Sequence, residues 1–248
     1  MIFRTLLLAA LLSLAGLGLM LALDTDDGDQ VPPEFNFLRL IYSSSGWGRS
    51  MWSTDYPKAD LQFLYGLRKL VDFTFVGAEN KALPIMDPRL FDYPFAYAVE
   101  VGNMHLSQEE ADRLREYLLR GGFLVVDDFH GPYEYRNFYN QIRKVFPEYE
   151  PFELTVDHPI FHCYYSIDEL IQVPGLQYVQ SGLTWEKGGY EAHYMGIQND
   201  QGRLMVMINH NVDLGDAWEW AEREEYPREY ANLAFQLGIN YIIYAMTH

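Results

Sequence analysis

Gly121-Gly122-Phe123-Leu124-Val125-Val126-Asp127-Asp128-Phe129-His130-Gly131 decides how this chain is read. Four successive apolar residues, Phe123 to Val126, leave no polar face, which is the pattern of a parallel strand covered by helices on both sides. Two adjacent carboxylates and an imidazole follow it directly. Ligands of open α/β sheets bind at such carboxyl ends, so the same stretch predicts both the fold and the place of function.

Working outward, Ser107 and Glu110 stand in capping-box spacing, and Ala111, Leu114 and Leu118 share a helix face that Gly121-Gly122 ends. Downstream, Phe138, Ile142, Val145 and Phe146 form another amphipathic helix, stopped by Pro147. Nearer the N-terminus, Phe37 to Tyr42 reads as a strand, and Pro57 opens a helix with Leu64, Leu67 and Val71 on one side. Phe73 to Val76 and Phe95 to Val101 read as the second and third strands. Leu204 to Ile208 is a further continuous apolar run with a polar mouth, Asn209-His210-Asn211-Val212-Asp213. The last helix carries Tyr230, Leu233, Ala234, Leu237, Tyr241 and Tyr244 along one side. Residues 149–202 are irregular and read as short strands and long loops. The alternation predicts one doubly wound, mostly parallel α/β sheet with helices on both faces.

Composition narrows the function classes. Lys plus Arg total 18 against 35 Asp plus Glu, a net charge of −17 over 248 residues, and a polyanion is repelled by such a surface. Nucleic-acid binding is therefore excluded as a reading. Aromatic residues make up 16% of the chain, enough for a core and for stacking against sugars or planar ligands. Cys163 is the only cysteine, so no intrachain disulfide forms.

The N-terminus reads as an export element. Arg4 precedes an uncharged run from Thr5 to Leu23, and Asp24, Asp26, Asp27 and Asp29 follow. The run approaches the roughly 20 residues that span a bilayer, and its poor cleavage boundary favours a retained anchor over a cleaved signal. The expected organisation is 1–23 signal peptide or membrane anchor, 24–34 polar spacer and 35–248 globular α/β domain. The expected location is periplasmic or on the outer face of the cytoplasmic membrane, anchored or released.

Candidate chemistry gathers at strand ends. Asp127, Asp128 and His130 offer a carboxylate pair with a base, or ligands for a divalent metal whose identity the residue types do not single out; the alternative is a cap and a solvated acid. His210, Asp213, Asp216 and Glu219 follow the Leu204 strand, which parallel topology brings to the same edge, though Asp216 also suits a helix cap. Ser43 to Gly48 with Arg49 resembles an anion-binding nest; Ser45 and Arg49 are the ligand-binding candidates there, with Arg49 placed to hold a carboxylate. It lacks the phosphate-loop and dinucleotide spacings. His158 and His162 are four apart, but Pro159 removes the helical zinc geometry; His162 stays a candidate for the cleft. Cys163, among Phe161, Tyr164 and Tyr165, reads as a buried, inert thiol, and His193 has little support.

Four phrases, Gly121 to His130, Asp157 to His162, Asp213 to Glu219 and Leu237 to Ala245, together resemble domain-of-unknown-function family 4159 over roughly Phe35 to the C-terminus. That family looks like a branch of the class I glutamine amidotransferase-like superfamily. The resemblance implies a flavodoxin-like sheet and bacterial envelope partners such as von Willebrand A-domain and MoxR-associated proteins. Amidotransferases need a cysteine nucleophile on a sharp strand-to-helix turn, whereas Asp127-Asp128 stands there in this chain, so glutamine hydrolysis is not expected. Two functions compete: an exported, membrane-tethered binding or assembly module of the envelope, and a metal-assisted hydrolase using the Asp128/His130/His210 region.

Overall fold

A computed structural model describes residues 35–44, 50–71, 76–77 and 80–248. The elements run β1 (Leu38–Ile41), β2 (Ser43–Ser44), α1 (Lys58–Leu70), β3 (Lys81–Pro84), β4 (Phe95–Val99), β5 (Met104–His105), α2 (Gln108–Leu119), β6 (Phe123–Phe129), α3 (Gly131–Val145), β7 (Phe152–Glu153), α4 (Tyr178–Ser181), β8 (His193–Gln198), β9 (Leu204–His210), α5 (Leu214–Glu219) and α6 (Arg228–Thr247). A seven-stranded sheet has the order β3-β1-β4-β6-β9-β8-β7. Its first five strands are parallel and follow the flavodoxin-like order, while β8 and β7 extend it antiparallel. β2 and β5 pair separately.

Alternation within the strands builds two cores. Phe37, Phe95, Tyr97, Phe123 and Val125 face one side and pack with Phe63, Leu64 and Leu67 of α1, Trp218 of α5 and Leu237 of α6. Leu38, Leu40, Ala96, Ala98, Leu124 and Val126 face the other and pack with Leu114 and Leu118 of α2 and Phe138 and Ile142 of α3. Every residue of β4, β6 and β9 is buried, the expected state of strands sandwiched between helix layers.

The predicted capping box on α2 is present. Ser107 Oγ accepts from the Glu110 amide at 3.1 Å, and Glu110 Oε2 accepts from the Ser107 amide at 2.8 Å. Two features differ from the sequence reading. β6 runs through the carboxylates to Phe129 and α3 starts at Gly131, so the two acids lie within the strand rather than after it. The partner of β1 on the outer side is β3, a Lys-Ala-Leu-Pro strand with no hydrophobic alternation to reveal it. Of the predicted Phe73 to Val76 strand only Val76 is described, in a parallel bridge to Phe35. The proposed N-terminal anchor and spacer, residues 1–34, lie outside the described residues. Among the described residues no helix is long and apolar enough to cross a membrane.

Arg39 is an exception among the apolar strands. Its guanidinium is fully buried in an ion pair with Asp60 of α1, also fully buried, and lies over the Tyr97 ring at 4.9 Å from the centroid. Removing one member of such a pair leaves an uncompensated buried charge. Asp60→Ala should therefore lower unfolding free energy by about 3–5 kcal/mol in urea titrations, whereas the double replacement Arg39→Met/Asp60→Leu should cost far less.

Candidate functional site

Asp127 sits towards the carboxyl end of β6 with both carboxylate oxygens engaged. Its Oδ2 accepts from the Tyr97 hydroxyl (2.5 Å) and from the amides of Leu214 (2.8 Å) and Gly215 (3.2 Å); its Oδ1 accepts from Asn209 Nδ2 (3.1 Å). The Tyr241 hydroxyl in turn donates to Asn209 Oδ1 at 3.0 Å. One carboxylate thus joins β4, β6, β9, α5 and, through Asn209, α6. Complete burial raises its pKa to about 6, even though all four hydrogen bonds pull it down.

Asp128 takes a left-handed backbone, φ +52°, a conformation that Asp tolerates better than most side chains. This turns its side chain away from the regular pleat, and the β6–β9 register shifts at the same point. Ligand atoms of Asp128, His130 and Asp213 then lie within 4.8 Å of one another, and those of Asp55, Asp216 and Glu219 form a second such group. The two groups adjoin. A β-carbon on Gly175 would stand 2.7 Å from Asp213 Oδ2 and 2.9 Å from Asp216 Oδ2, and one on Gly215 would stand 2.9 Å from Asp55 Oδ2 and 3.5 Å from Asp213 Oδ1.

Burial and mutual repulsion mark these acids. Asp128 is held well above the carboxylate range by burial and then by the charges of Glu100, Asp55 and Asp127; Asp213 is held up by burial, Asp128 and Asp216. Asp55 rises to about 8, from burial with Asp216 and Glu219 close by. His130 Nε2 lies 3.3 Å from Asp128 Oδ1, yet burial, with Lys187 and His210 nearby, lowers its pKa to about 3, so the ring is neutral. Lys187 reaches over this edge from the 182–191 loop to Glu134 (2.7 Å) and Glu100 (3.8 Å).

His210 belongs to a neighbouring feature. Its Nε2 pairs with the Gly131 carbonyl at 3.1 Å, and its ring stands between Tyr135 (4.9 Å between centroids) and His193 (5.6 Å, 16° between planes). Tyr139 continues the row beyond Tyr135 at 6.4 Å. These four rings line a cavity of about 790 Å³ that Arg136, Tyr190, Glu191 and Met195 complete.

The structure thus brings Asp128, His130, Asp213 and Asp216 to one edge, with His210 beside them in the groove. Asp127 is there too, but its oxygens are occupied by the fold. Ser45 and Arg49 lie outside the described residues. His162 does not join the cleft. Its ring pairs with Val156 O (2.7 Å) and Ser166 Oγ (3.1 Å), and its segment packs by His158 on Tyr244, which contacts Phe123 at the amino end of β6. Cys163 Sγ lies 3.0 Å from the Asn240 carbonyl, and its pKa is raised by burial. Asp55, Glu100, Glu134, Lys187 and Tyr190 were not singled out from sequence. Asp55 has a positive φ of 60° just before α1, a backbone feature that the sequence does not announce.

A family model described as "Domain of unknown function (DUF4159)" matches residues 36–246. No curated protein matches the chain.

Two measurements probe this edge. Asp127→Ala strands four donors in the core and should destabilise the protein by on the order of 3–5 kcal/mol in urea titrations. His210 is held neutral, its pKa lowered to about 4 by burial. The unfolded state therefore binds more protons than the folded one between that value and about 6.5, and stability is lost as pH falls through this window. His210→Phe should remove up to about 3 kcal/mol of the pH dependence between pH 6.5 and 4, read as a shallower slope of melting temperature against pH.

Proposed function

The chain belongs to this family of unknown function, and we propose that it is an exported binding module of the bacterial cell envelope, membrane-tethered through its N-terminal segment, which holds its ligand in the ring-lined groove beside the strand ends without turning it over. The observation that carries this reading is the row Tyr139, Tyr135, His210 and His193, a continuous aromatic wall along one side of the cavity. Such a wall favours ligands with flat C–H faces, and Arg136, Glu191 and the Gly188-Gly189 backbone add polar groups at its rim. A glycan presents both: apolar ring faces to stack and hydroxyl edges to hydrogen-bond. The net charge of −17 suits a neutral glycan better than an acidic polymer.

Metal-assisted hydrolysis is the second reading, and the convergence of Asp128, His130 and Asp213 favours it. In that version Asp213 takes the place first given to His210, whose ring is committed to the groove wall.

Titration of the ¹⁵N-labelled exported domain with N-acetylhexosamine oligosaccharides distinguishes the two. Binding predicts saturable shifts around residues 135–139 and 188–193, unchanged ligand over days, and roughly tenfold weaker affinity in each of Tyr135→Ala and Tyr190→Ala, about 1.4 kcal/mol per ring. Shortened oligosaccharides appearing with time would replace the binding reading by the hydrolytic one. No saturable shift with any of them would remove the glycan class.

A further inference from the structure

The carboxylates around Asp213 outnumber the cations beside them. Among the described residues the nearby basic groups are already engaged: Arg39 with Asp60, Lys58 at 3.9 Å from Glu219, and Lys187 with Glu134 and Glu100. Acids withdrawn from water need a partner. Asp128 and Asp213 are 7% and 3% exposed and stand side by side with only the neutral His130 ring and the Asp216 amide as partners, and no lysine or arginine.

Unpaired polar atoms border the same place. The His130 side chain is 1% exposed and contributes a ring nitrogen to the Asp128–Asp213 group, while its Nδ1 has no hydrogen-bond partner. Asp55 Oδ2 and Gln177 Nε2 are also buried without partners, and both residues face the glycines that adjoin the group, Asp55 at Gly215 and Gln177 at Gly175. Glycine at these two positions keeps carbon out of the space between the carboxylates. A folded protein rarely leaves so many buried polar atoms unsatisfied in one place unless something else occupies it.

The two acidic groups are not equivalent. Asp216 spends Oδ2 on the Leu176 amide (2.6 Å) and Oδ1 on Trp220 Nε1 (3.1 Å), and Glu219 faces Lys58. Asp213 spends only Oδ1, on the Asp216 amide at 2.8 Å, as the N-cap of α5. The group with donor capacity to spare is therefore Asp128, His130 and Asp213.

We propose that Asp128, His130 and Asp213 together bind one divalent transition-metal ion, zinc or manganese, with Asp55 and Asp216 bordering its open side. One imidazole nitrogen with two carboxylates suits these ions, whereas calcium and magnesium prefer all-oxygen sets. Three protein ligands leave coordination positions for water or a ligand group, the arrangement of reactive rather than purely structural sites. This site has no residue in common with the lining of the ring-lined groove, so loss of metal binding and loss of glycan binding are told apart by different variants.

The test uses protein purified without chelator or affinity histidines, titrated with zinc and with manganese, calcium serving as control, and followed by calorimetry and elemental analysis. About one equivalent of zinc per chain is expected. Asp128→Asn and Asp213→Asn drop the charge but keep what the backbone needs, since Asn tolerates the left-handed conformation at 128 and caps helices at 213. Each should weaken binding at least about tenfold with the metal-free melting temperature preserved, and His130→Gln should do the same. If an Asn variant misfolds, pulsed electron resonance of the manganese-loaded native protein decides: ¹⁴N coupling from one imidazole is expected. Absence of that coupling, no stoichiometric ion, or affinity unchanged in the three variants would overturn the assignment.

Discussion

The hydrogen bonds that converge on Asp127 organise the carboxyl edge of the sheet. A carboxylate with no access to solvent is tolerated because four donors from three elements meet it, and those donors are in turn placed by it. Tyr97 comes from β4, Asn209 from β9, and the Leu214 and Gly215 amides are the first of α5. Without that acceptor the start of α5 would hold unpaired amides in a dry core, and Asp213, its N-cap, and Asp216, in its first turn, would lose their positions. The site is thus a consequence of how one strand-end acid is satisfied.

The neighbouring residue has the opposite character. Asp128 is also buried, though less completely than Asp127, but lacks its complement of donors, and its left-handed backbone points it toward other acids. Two adjacent, chemically identical residues are separated in role by geometry alone: one closes the core, the other faces the cleft. Strain of this kind persists where the surroundings over-determine it, and here the surroundings are the Val212 carbonyl, which accepts from the Asp128 amide at 3.1 Å, and the Glu100 amide, which donates to the carbonyls of Asp127 and Asp128.

This explains what could be read from the residues and what could not. Continuous apolar runs at 123–126 and 204–208, the Ser107–Glu110 cap and the helix periodicities depend on local order, and so the doubly wound sheet, its two helix layers and the strand-end position of the site were all legible. β3 was not, because Lys-Ala-Leu-Pro gains its strand character only from pairing with β1. The distinction between Asp127 and Asp128 was equally hidden, since it rests on Tyr97 and Asn209, 30 and 82 positions away from Asp127 in the chain. His162 was misplaced toward the cleft for the same reason: only packing of its segment against α6 reveals that it lies at the amino end of the strands. Asp55 and Lys187 come from loops without periodicity, and no local pattern announces that they reach the same edge.

The groove and the acidic cleft share a wall made of backbone. The Gly131 amide donates to Asn211 Oδ1 at 2.8 Å, Asn211 Nδ2 donates to the Glu191 carbonyl at 2.6 Å, and Gln172 Nε2 reaches both the Gly189 and Asn211 carbonyls. Gly131, at φ +71°, has no room for a β-carbon against the Lys187 carbonyl, and Gly189 has none against Asn211. Any side chain there would push the 182–191 loop off the start of α3. On one side of this wall stand the rings of Tyr135 and His210; on the other, His130 and, two residues before it, Asp128 lead into Gly131. A ligand pressed into the groove bears on the same few backbone groups that hold His130, and Lys187 carries the loop's position to Glu134 and Glu100 beside the acids. Physical contact between the two features therefore runs through a short segment in which Asn211 and Gln172 tie glycine backbone groups together.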